Sequence, residues 1–103
     1  MTTFQKRIYE ATSQIPKGKV VSYDTLARYV ACRSPQAVGQ ALKRNPSPPQ
    51  IPCHRVIQKT GFIGGYLGVT SAQGSKYELL TAEGIKINHH GYISSDTYWW
   101  SWE

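Results

Sequence analysis

Seven residues near the middle of the chain, Ile51-Pro52-Cys53-His54-Arg55-Val56-Ile57, constrain the rest more than any other stretch. Pro52 fixes the backbone just ahead of a thiol. Val56, Ile57 and the alternation around them read as a buried strand. A cysteine held at the mouth of a strand beside a histidine is a candidate activated nucleophile, because the thiolate is the reactive form. The same residues also fit a small buried thiol beside a turn histidine, since free cysteine is often simply packed.

Helical elements lead up to this stretch. Thr2 or Thr3 can cap a first helix whose Phe4, Ile8, Ala11 and Ile15 recur at helical spacing. Pro16-Lys17-Gly18-Lys19 turns the chain into a short extended piece, Val20-Val21. Ser22 then caps a second helix with Leu26, Ala27 and Val30 as its apolar stripe. Cys32-Arg33 is a short link, and Ser34-Pro35 starts a third helix with an N-cap followed by proline at the first helical position. Ala37, Val38, Ala41 and Leu42 carry that helix to Arg44. Two short helices with a tight link resemble a helix-turn-helix, with the third helix as the recognition helix.

A stiff, irregular loop, Asn45-Pro46-Ser47-Pro48-Pro49-Gln50, delivers the chain to the thiol. Beyond it, 55–58 and 62–64 read as two short strands joined by Lys59-Thr60-Gly61, a hairpin or wing. Gly64-Gly65-Tyr66-Leu67-Gly68 lacks the Lys-Ser/Thr ending of a phosphate loop. Ser71 or Ser75 begins a fourth helix that holds Tyr77, Leu79, Leu80 and Ala82 and ends at Gly84. Ile85, Ile87, Tyr92 and Ile93 suggest closing strands around His90-Gly91, and the aromatic tail Tyr98-Trp99-Trp100-Ser101-Trp102 is expected to pack on the body rather than stack on a base.

Residues 1–103 are read as one domain, without internal repeats. No apolar run approaches the ~18 residues of a membrane span, and Met1-Thr2-Thr3-Phe4-Gln5-Lys6-Arg7 has no apolar signal core, so no membrane partner and a cytoplasmic location are expected. Cys32 and Cys53 would then be free thiols. They have no histidine at ligand spacing for zinc, and His89-His90 reads as a surface pair, so no metal is expected. Charge is one-sided. Ten of the twelve Lys and Arg lie in residues 1–60, with only two of the six Asp and Glu. A basic face there suits a polyanion, and it equally suits a merely soluble basic protein.

Pro52-Cys53-His54-Arg55-Val56 resembles the active-site signature of the O6-alkylguanine-DNA alkyltransferases, and other landmarks follow in the family's order: Val20-Val21-Ser22-Tyr23, Ala37-Val38-Gly39, Asn45-Pro46, Gly65-Tyr66 and Glu83-Gly84. The resemblance covers about residues 4 to 87. It implies a small α/β domain of winged-helix type, with a helix-turn-helix and a short β-hairpin wing. It implies DNA repair by irreversible transfer of an alkyl group from guanine O6 to the protein's own cysteine, with no cofactor. The partner would be double-stranded DNA carrying O6-alkylguanine, bound by a monomer through the minor groove with the target base flipped out.

Residue by residue, Cys53 would be the nucleophile. His54 would take its proton through a water, Glu83 would orient His54, and Asn45 would hold the loop that shapes the site. Tyr23 would press on the DNA phosphate and donate a proton to the departing guanine. Tyr66 and the backbone of Gly64, Gly65 and Leu67 would line the base pocket, with Leu42 as an apolar wall for the alkyl group. Ser34, Gln36, Ala37, Gly39, Lys43 and Arg44 of the third helix, with Tyr23, would meet the DNA. Read without the resemblance, Glu83 is a solvated carboxylate near a helix end and Tyr23 a core aromatic.

Three departures matter. Gln36 stands where the family has an inserting arginine, which costs charge and guanidinium stacking. Leu67 replaces the serine after the pocket tyrosine, followed by Gly68-Val69 in place of a glycine pair and a longer segment before the fourth helix. The additional amino-terminal domain of many relatives is expected to be absent. That short form is similar to the alkyltransferase-like proteins, which bind alkylguanine without repairing it and flag it for excision, usually with tryptophan in place of the cysteine. The presence of Cys53 favours transfer over sensing. A plain winged-helix regulator accounts for the charge and the helix pair, but not for Cys53, His54 and Glu83 together.

Overall fold

Thr2 opens the first helix, α1 (Thr3–Ser13), with a reciprocal cap: its hydroxyl accepts from the Gln5 amide and the Gln5 side chain accepts from the Thr2 amide, both at 3.0 Å. The computed structural model describes residues 2–44, 51–63 and 76–102 of the chain. Ile8 and Ala11 are buried on α1 as the spacing predicts, joined by Tyr9 and Thr12, whereas Phe4 is only half-buried. Ile15 reaches the core from just beyond the helix end.

Two serines place the next two helices. Ser22 caps α2 (Tyr23–Tyr29) by accepting from the Thr25 amide at 3.0 Å, and Ser34 caps α3 (Pro35–Lys43) by accepting from the Ala37 amide at 3.2 Å. Leu26, Ala27 and Val30 meet Val38, Ala41 and Leu42 in one buried cluster with the apolar face of α1. Two hydrogen bonds tie α1 across this cluster: the Tyr9 hydroxyl donates to the Ala41 carbonyl at 2.7 Å, and the Arg7 guanidinium donates to the Val30 carbonyl. The helix-turn-helix read from the sequence is thus present, with both caps where the residue types put them.

The sheet differs from expectation in one respect. β1 (Val21–Ser22) pairs in parallel with β2 (Val56–Ile57), Val21 opposite Val56 and Ser22 opposite Ile57. Among the described residues, the hairpin expected of 55–58 with 62–64 shows as a reversal: the Gly61 amide donates to the Gln58 carbonyl at 2.9 Å and the Gln58 amide to the Phe62 carbonyl at 3.0 Å. Phe62 then bridges to Tyr92 in antiparallel sense instead of laddering with β2. The physical reason is burial on both faces. Val56 and Ile57 are fully buried, so neither is a solvent-facing wing position, and a continuous apolar pair suits a covered parallel strand.

α4 (Lys76–Ala82) holds Tyr77, Leu79, Leu80 and Ala82, as expected, but buries only some of them. Leu80 is fully buried and Leu79 half-buried, but Tyr77 is half exposed and Ala82 is exposed; the inward face is set by Lys76 and Leu80. Gly84, at φ +92°, ends the helix and Ile85 returns to a second buried cluster with Val20, Ile57, Ile63 and Leu80. The closing strands are single bridges, Ile87 to Ile93 and Phe62 to Tyr92.

The aromatic tail packs on the body, as expected. The Val20 amide donates to Tyr98 and the Trp100 amide donates to Val20, at 2.8 and 2.9 Å, which adds a parallel rung beside β1. Trp102 stacks on Tyr29 with ring centroids 4.3 Å apart. Together these elements form the small α/β winged-helix-like fold that the sequence implies.

Gly91 shows how tightly the closing turn is fitted. Its φ is +87°, and a side-chain carbon there would lie 2.9 Å from Phe62 Cε1. Gly91→Ala should therefore lower unfolding stability by at least about 1–2 kcal/mol, the cost of left-handed backbone for an L-residue, with the ring contact added. Urea denaturation checks this; an unchanged midpoint would mean that the turn relaxes freely.

Candidate active site

Glu83 is the anchor around which the site is built. It lies just past the end of α4, where its carboxylate is almost enclosed, with 10% of the side chain exposed. Arg55 grips it from one side: Nε donates at 2.9 Å to Oε1 and Nη2 at 2.6 Å to Oε2. The same guanidinium donates through Nη1 to the Ile15 carbonyl at 2.7 Å, which fixes the fork against the end of α1. The Gly18 amide approaches Oε1 at 3.4 Å. From the other side, His54 Nε2 lies 2.8 Å from Oε2. The solvated-carboxylate reading of Glu83 is thereby replaced by an enclosed, multiply bonded one.

Protonation follows from these contacts. Burial pushes the Glu83 carboxyl up, but the hydrogen bonds and charges of Arg55 and His54 outweigh it and hold the group below the usual carboxylate range. Burial pushes His54 down, more than its bond to Glu83 pulls it up, so the imidazole is neutral at pH 7. An ionised carboxylate can only accept. His54 Nε2 must then carry the proton, which leaves Nδ1 as a lone-pair acceptor. This tautomer is the one that a proton-accepting histidine needs.

Cys53 starts the 3₁₀ turn Cys53–Arg55 that precedes β2. Its amide donates to the Ile51 carbonyl at 2.8 Å, and the Arg55 amide donates to Pro52 at 2.9 Å, which closes the turn. The thiol is free and half-buried, packed against the helical cluster that contains Leu42. Tyr23, the first residue of α2, is half-buried against the same cluster. Gly39 of α3 faces the Tyr23 ring, since a side-chain carbon at position 39 would lie 4.0 Å from Cε1.

Three further residues stand out in the structure. Arg55 belongs to the motif but reads in the sequence only as a charge. Tyr9 is buried in the helical cluster on which Cys53 packs; burial pushes its phenol up, with Arg44 opposing and Cys53 reinforcing the shift. Lys76 is 6% exposed, and its ammonium donates to the Val56 carbonyl at 2.6 Å and to the Tyr23 hydroxyl at 3.4 Å. The spacing of Lys76, Leu80 and Glu83 at i, i+4 and i+7 is a signal that could have drawn attention to it.

On α3, Gln36, Lys43 and Arg44 are exposed and Ala37 and Gly39 half-buried, while Ser34 is occupied as the helix cap. Cys32 sits in the link between α2 and α3, where its sulfur exchanges hydrogen bonds with the Ser34 backbone. Asn45, Gly64, Gly65, Tyr66 and Leu67 lie outside the described residues, as do the proline-rich loop and Ser71 and Ser75. Among the described residues no three His, Cys, Asp or Glu side chains form a group able to hold a metal ion, and no helix is long and apolar enough to cross a membrane.

With this geometry in hand, similarity to known proteins is decisive about family. Residues 3–85 match the family model described as 6-O-methylguanine DNA methyltransferase, DNA binding domain. The chain belongs to this family. A methylated-DNA--protein-cysteine methyltransferase of Thermococcus barophilus is 44% identical over 87 residues, covering 84% of the chain and 47% of the relative. The chain thus spans about half the length of the methyltransferases it matches. Among solved structures, Mycobacterium tuberculosis OGT in complex with DNA is 36% identical with a TM-score of 0.70, over 81% of this chain and 50% of that one. S. pombe Atl1 in complex with damaged DNA containing O6-carboxymethylguanine is 30% identical with a TM-score of 0.79, over 98% of this chain and 97% of that one.

Proposed function

We propose that the chain repairs DNA by moving an alkyl group from guanine O6 to Cys53. The observation that carries this reading is the 2.8 Å contact between His54 Nε2 and an ionised, Arg55-held Glu83, with the thiol on the preceding residue. Glu83 accepts from Nε2–H, so Nδ1 accepts the Cys53 proton by way of a water. The thiolate sulfur attacks the alkyl carbon. The S–C bond forms as the C–O6 bond breaks, the electron pair leaves with guanine, and the guanine takes up a proton for which the Tyr23 hydroxyl is the donor. The product thioether is not reversed, so each chain acts once. General acid–base assistance of this kind contributes about 10²–10⁴-fold.

Guanine O6 lies inside the stack, so the base must be extruded at a cost of about a few kcal/mol. The exposed Gln36, Lys43 and Arg44 of α3 are the residues offered to the duplex, with Ala37 and Gly39 allowing close approach. Gly64, Gly65, Tyr66 and Leu67 are assigned to the base pocket, Leu42 to its apolar wall, and Asn45 to holding the loop that shapes the site, by the family pattern alone. Because Gln36 replaces an inserting arginine, Gln36→Arg should tighten binding to lesion-bearing duplex by about 1 kcal/mol, roughly fivefold, from regained guanidinium stacking. Unchanged affinity in a fluorescence-anisotropy titration would remove Gln36 from the inserting position.

Near-complete mutual coverage with Atl1 favours a second reading, in which the chain binds alkylguanine without transfer and marks it for excision. Intact-protein mass after mixing with a duplex carrying O6-methylguanine separates the two. One methyl on Cys53, with unmodified guanine left in the DNA, supports repair. An unchanged mass with tight binding to the same duplex supports the sensor.

A further inference from the structure

Two stretches of chain bracket Glu83, and the aromatic tail ties both of them. One is the turn that follows α1. Its Ile15 carbonyl accepts from Arg55 Nη1 at 2.7 Å, and its Gly18 amide lies 3.4 Å from Glu83 Oε1. Gly18 has φ +84°, and a side-chain carbon there would lie 3.4 Å from the Glu83 carbonyl, so the turn also rests on the Glu83 backbone. The other stretch is 83–86, which runs from Glu83 through the buried Ile85 to Lys86. Tyr98 joins the two. Its carbonyl accepts from the Val20 amide at 2.8 Å, and its hydroxyl accepts from the Lys86 amide at 3.1 Å. Its neighbours reinforce the first link: Lys19 Nζ donates to the Thr97 carbonyl at 2.8 Å, and the Trp100 amide donates to the Val20 carbonyl at 2.9 Å. Tyr98 and Trp99 also pack on the buried cluster that contains Val20, Leu80 and Ile85. The tail lies beyond residues 3–85, the part matched by the family model.

We propose that Tyr98 is a positioning residue for this site: by bracing Val20 and Lys86 it holds the Gly18 turn against Glu83, and so keeps the carboxylate on His54 Nε2. This rests on the reading of His54 as the proton acceptor. The link is physical at each step. Hydrogen bonds weaken steeply as donor and acceptor lose alignment, and a drift of about 0.5 Å is enough to loosen a site of this kind. When Glu83 drifts, nothing selects Nε2–H over Nδ1–H, and the lone pair that a proton acceptor needs is lost from Nδ1.

The readout is the tautomer of neutral His54, taken from its ring ¹⁵N shifts in the full chain without DNA, so it does not depend on methyl transfer. In the wild type Nε2–H should dominate. Tyr98→Leu, which removes ring and hydroxyl, should raise the ratio of Nδ1–H to Nε2–H about fivefold, the size of one net hydrogen bond. Tyr98→Phe, which keeps the ring, should raise it by less. Gly91→Ala is the control for general loosening: its added carbon meets Phe62 rather than Tyr98 or Glu83, and the ratio should not move. A wild-type ratio in folded Tyr98→Leu overturns the proposal, and so does an equal rise in Gly91→Ala. A wild type that is mainly Nδ1–H removes instead the acceptor reading of His54 on which the proposal stands.

A measurement on the wild type covers the case in which Tyr98→Leu does not fold. Exchange of the Trp100 amide with solvent reports release of the tail, and exchange of the His54 Nε2 proton reports opening of its bond to Glu83. If release of the tail frees Glu83, the His54 proton is no better protected than the Trp100 amide once each is corrected for its intrinsic rate. Protection at or below that of the Trp100 amide is the expected result. A His54 proton that stays protected while the Trp100 amide exchanges overturns the proposal. A chain that shows the tautomer shift yet never accepts a methyl group keeps the Tyr98 assignment and loses the transfer reading.

Discussion

Arg55→Ala is expected to lower unfolding stability by about 3–5 kcal/mol, the usual cost of removing one partner from an enclosed ion pair. That is a large part of the ~5–15 kcal/mol available to a domain of this size. The guanidinium supplies two donors to Glu83 and one to the Ile15 carbonyl, and 16% of its side chain is exposed. Without it, the carboxylate is left with His54 and the distant Gly18 amide. The conservative change Arg55→Lys delivers one point charge rather than a fork and should recover only part of the loss. Replacing both partners, Arg55→Leu with Glu83→Leu, should recover more stability than Arg55→Ala retains, because no charge is then stranded. Urea midpoints at constant slope measure all three. A loss below about 1 kcal/mol for Arg55→Ala would place the pair among ordinary surface bridges.

The same cluster sets the direction of acid sensitivity. Glu83 has a folded-state pKa below its unfolded value, so its contribution is complete above the usual carboxylate range and disappears as pH falls through the folded value. His54 is also depressed, by burial. As pH falls below about 6.5 the unfolded state therefore takes up the proton first, and the folded state loses ground. Both groups act in one sense. Stability should decline steadily from about pH 6.5 downward, with His54 leading and Glu83 following, and a flat thermal-melting profile between about pH 7 and 4 would contradict the lowered folded-state values of both groups.

Local chemistry was legible in the sequence wherever one residue type has one job. Thr2, Ser22 and Ser34 cap helices because a short hydroxyl placed before an apolar period satisfies amides that a helix start leaves open. Gly84 and Gly91 stop and turn the chain because φ is positive there. The pairing of β2 was not legible. The pattern around Val56-Ile57 marks a buried strand but not its partner, so the pair fits a hairpin with its sequence neighbour as well as the parallel contact it makes with Val21-Ser22. The inward face of α4 was hidden for a similar reason: Tyr77 and Ala82 look apolar on paper, whereas the buried positions are Leu80 and a lysine that only tertiary partners can compensate. At the site, Cys53 and His54 announce themselves by adjacency. Glu83 came from the family pattern alone, because nothing local distinguishes it from Glu78, and Arg55 is one charge among many until its fork is seen.

Cys53→Ala is the change with the largest expected consequence for chemistry and among the smallest for the fold. The side chain is half-buried and loses one sulfur, and the turn that holds it is closed by backbone bonds from Cys53 to Ile51 and from Arg55 to Pro52 that alanine keeps. The His54–Glu83–Arg55 cluster is untouched, as are the exposed residues of α3. Affinity for a duplex containing O6-methylguanine should then stay within about twofold, since base extrusion and phosphate contacts do not pass through the sulfur, while methyl uptake falls to zero. Cys32→Ser should do the opposite of Cys53→Ala on uptake: full transfer, because the Cys32 sulfur is engaged with the Ser34 backbone in the helix link and has no histidine beside it. A methyl group recovered on Cys32 in the Cys53→Ala protein would show that reactivity does not depend on His54 and Glu83, and would undo the catalytic assignment. Loss of duplex binding in Cys53→Ala would instead make the thiol part of the binding surface. Unchanged binding together with no uptake in the wild type as well would leave a complete acid–base cluster beside a thiol that is never presented with its alkyl carbon. The fault would then lie in base insertion, where Gln36 stands, rather than in the chemistry of Cys53.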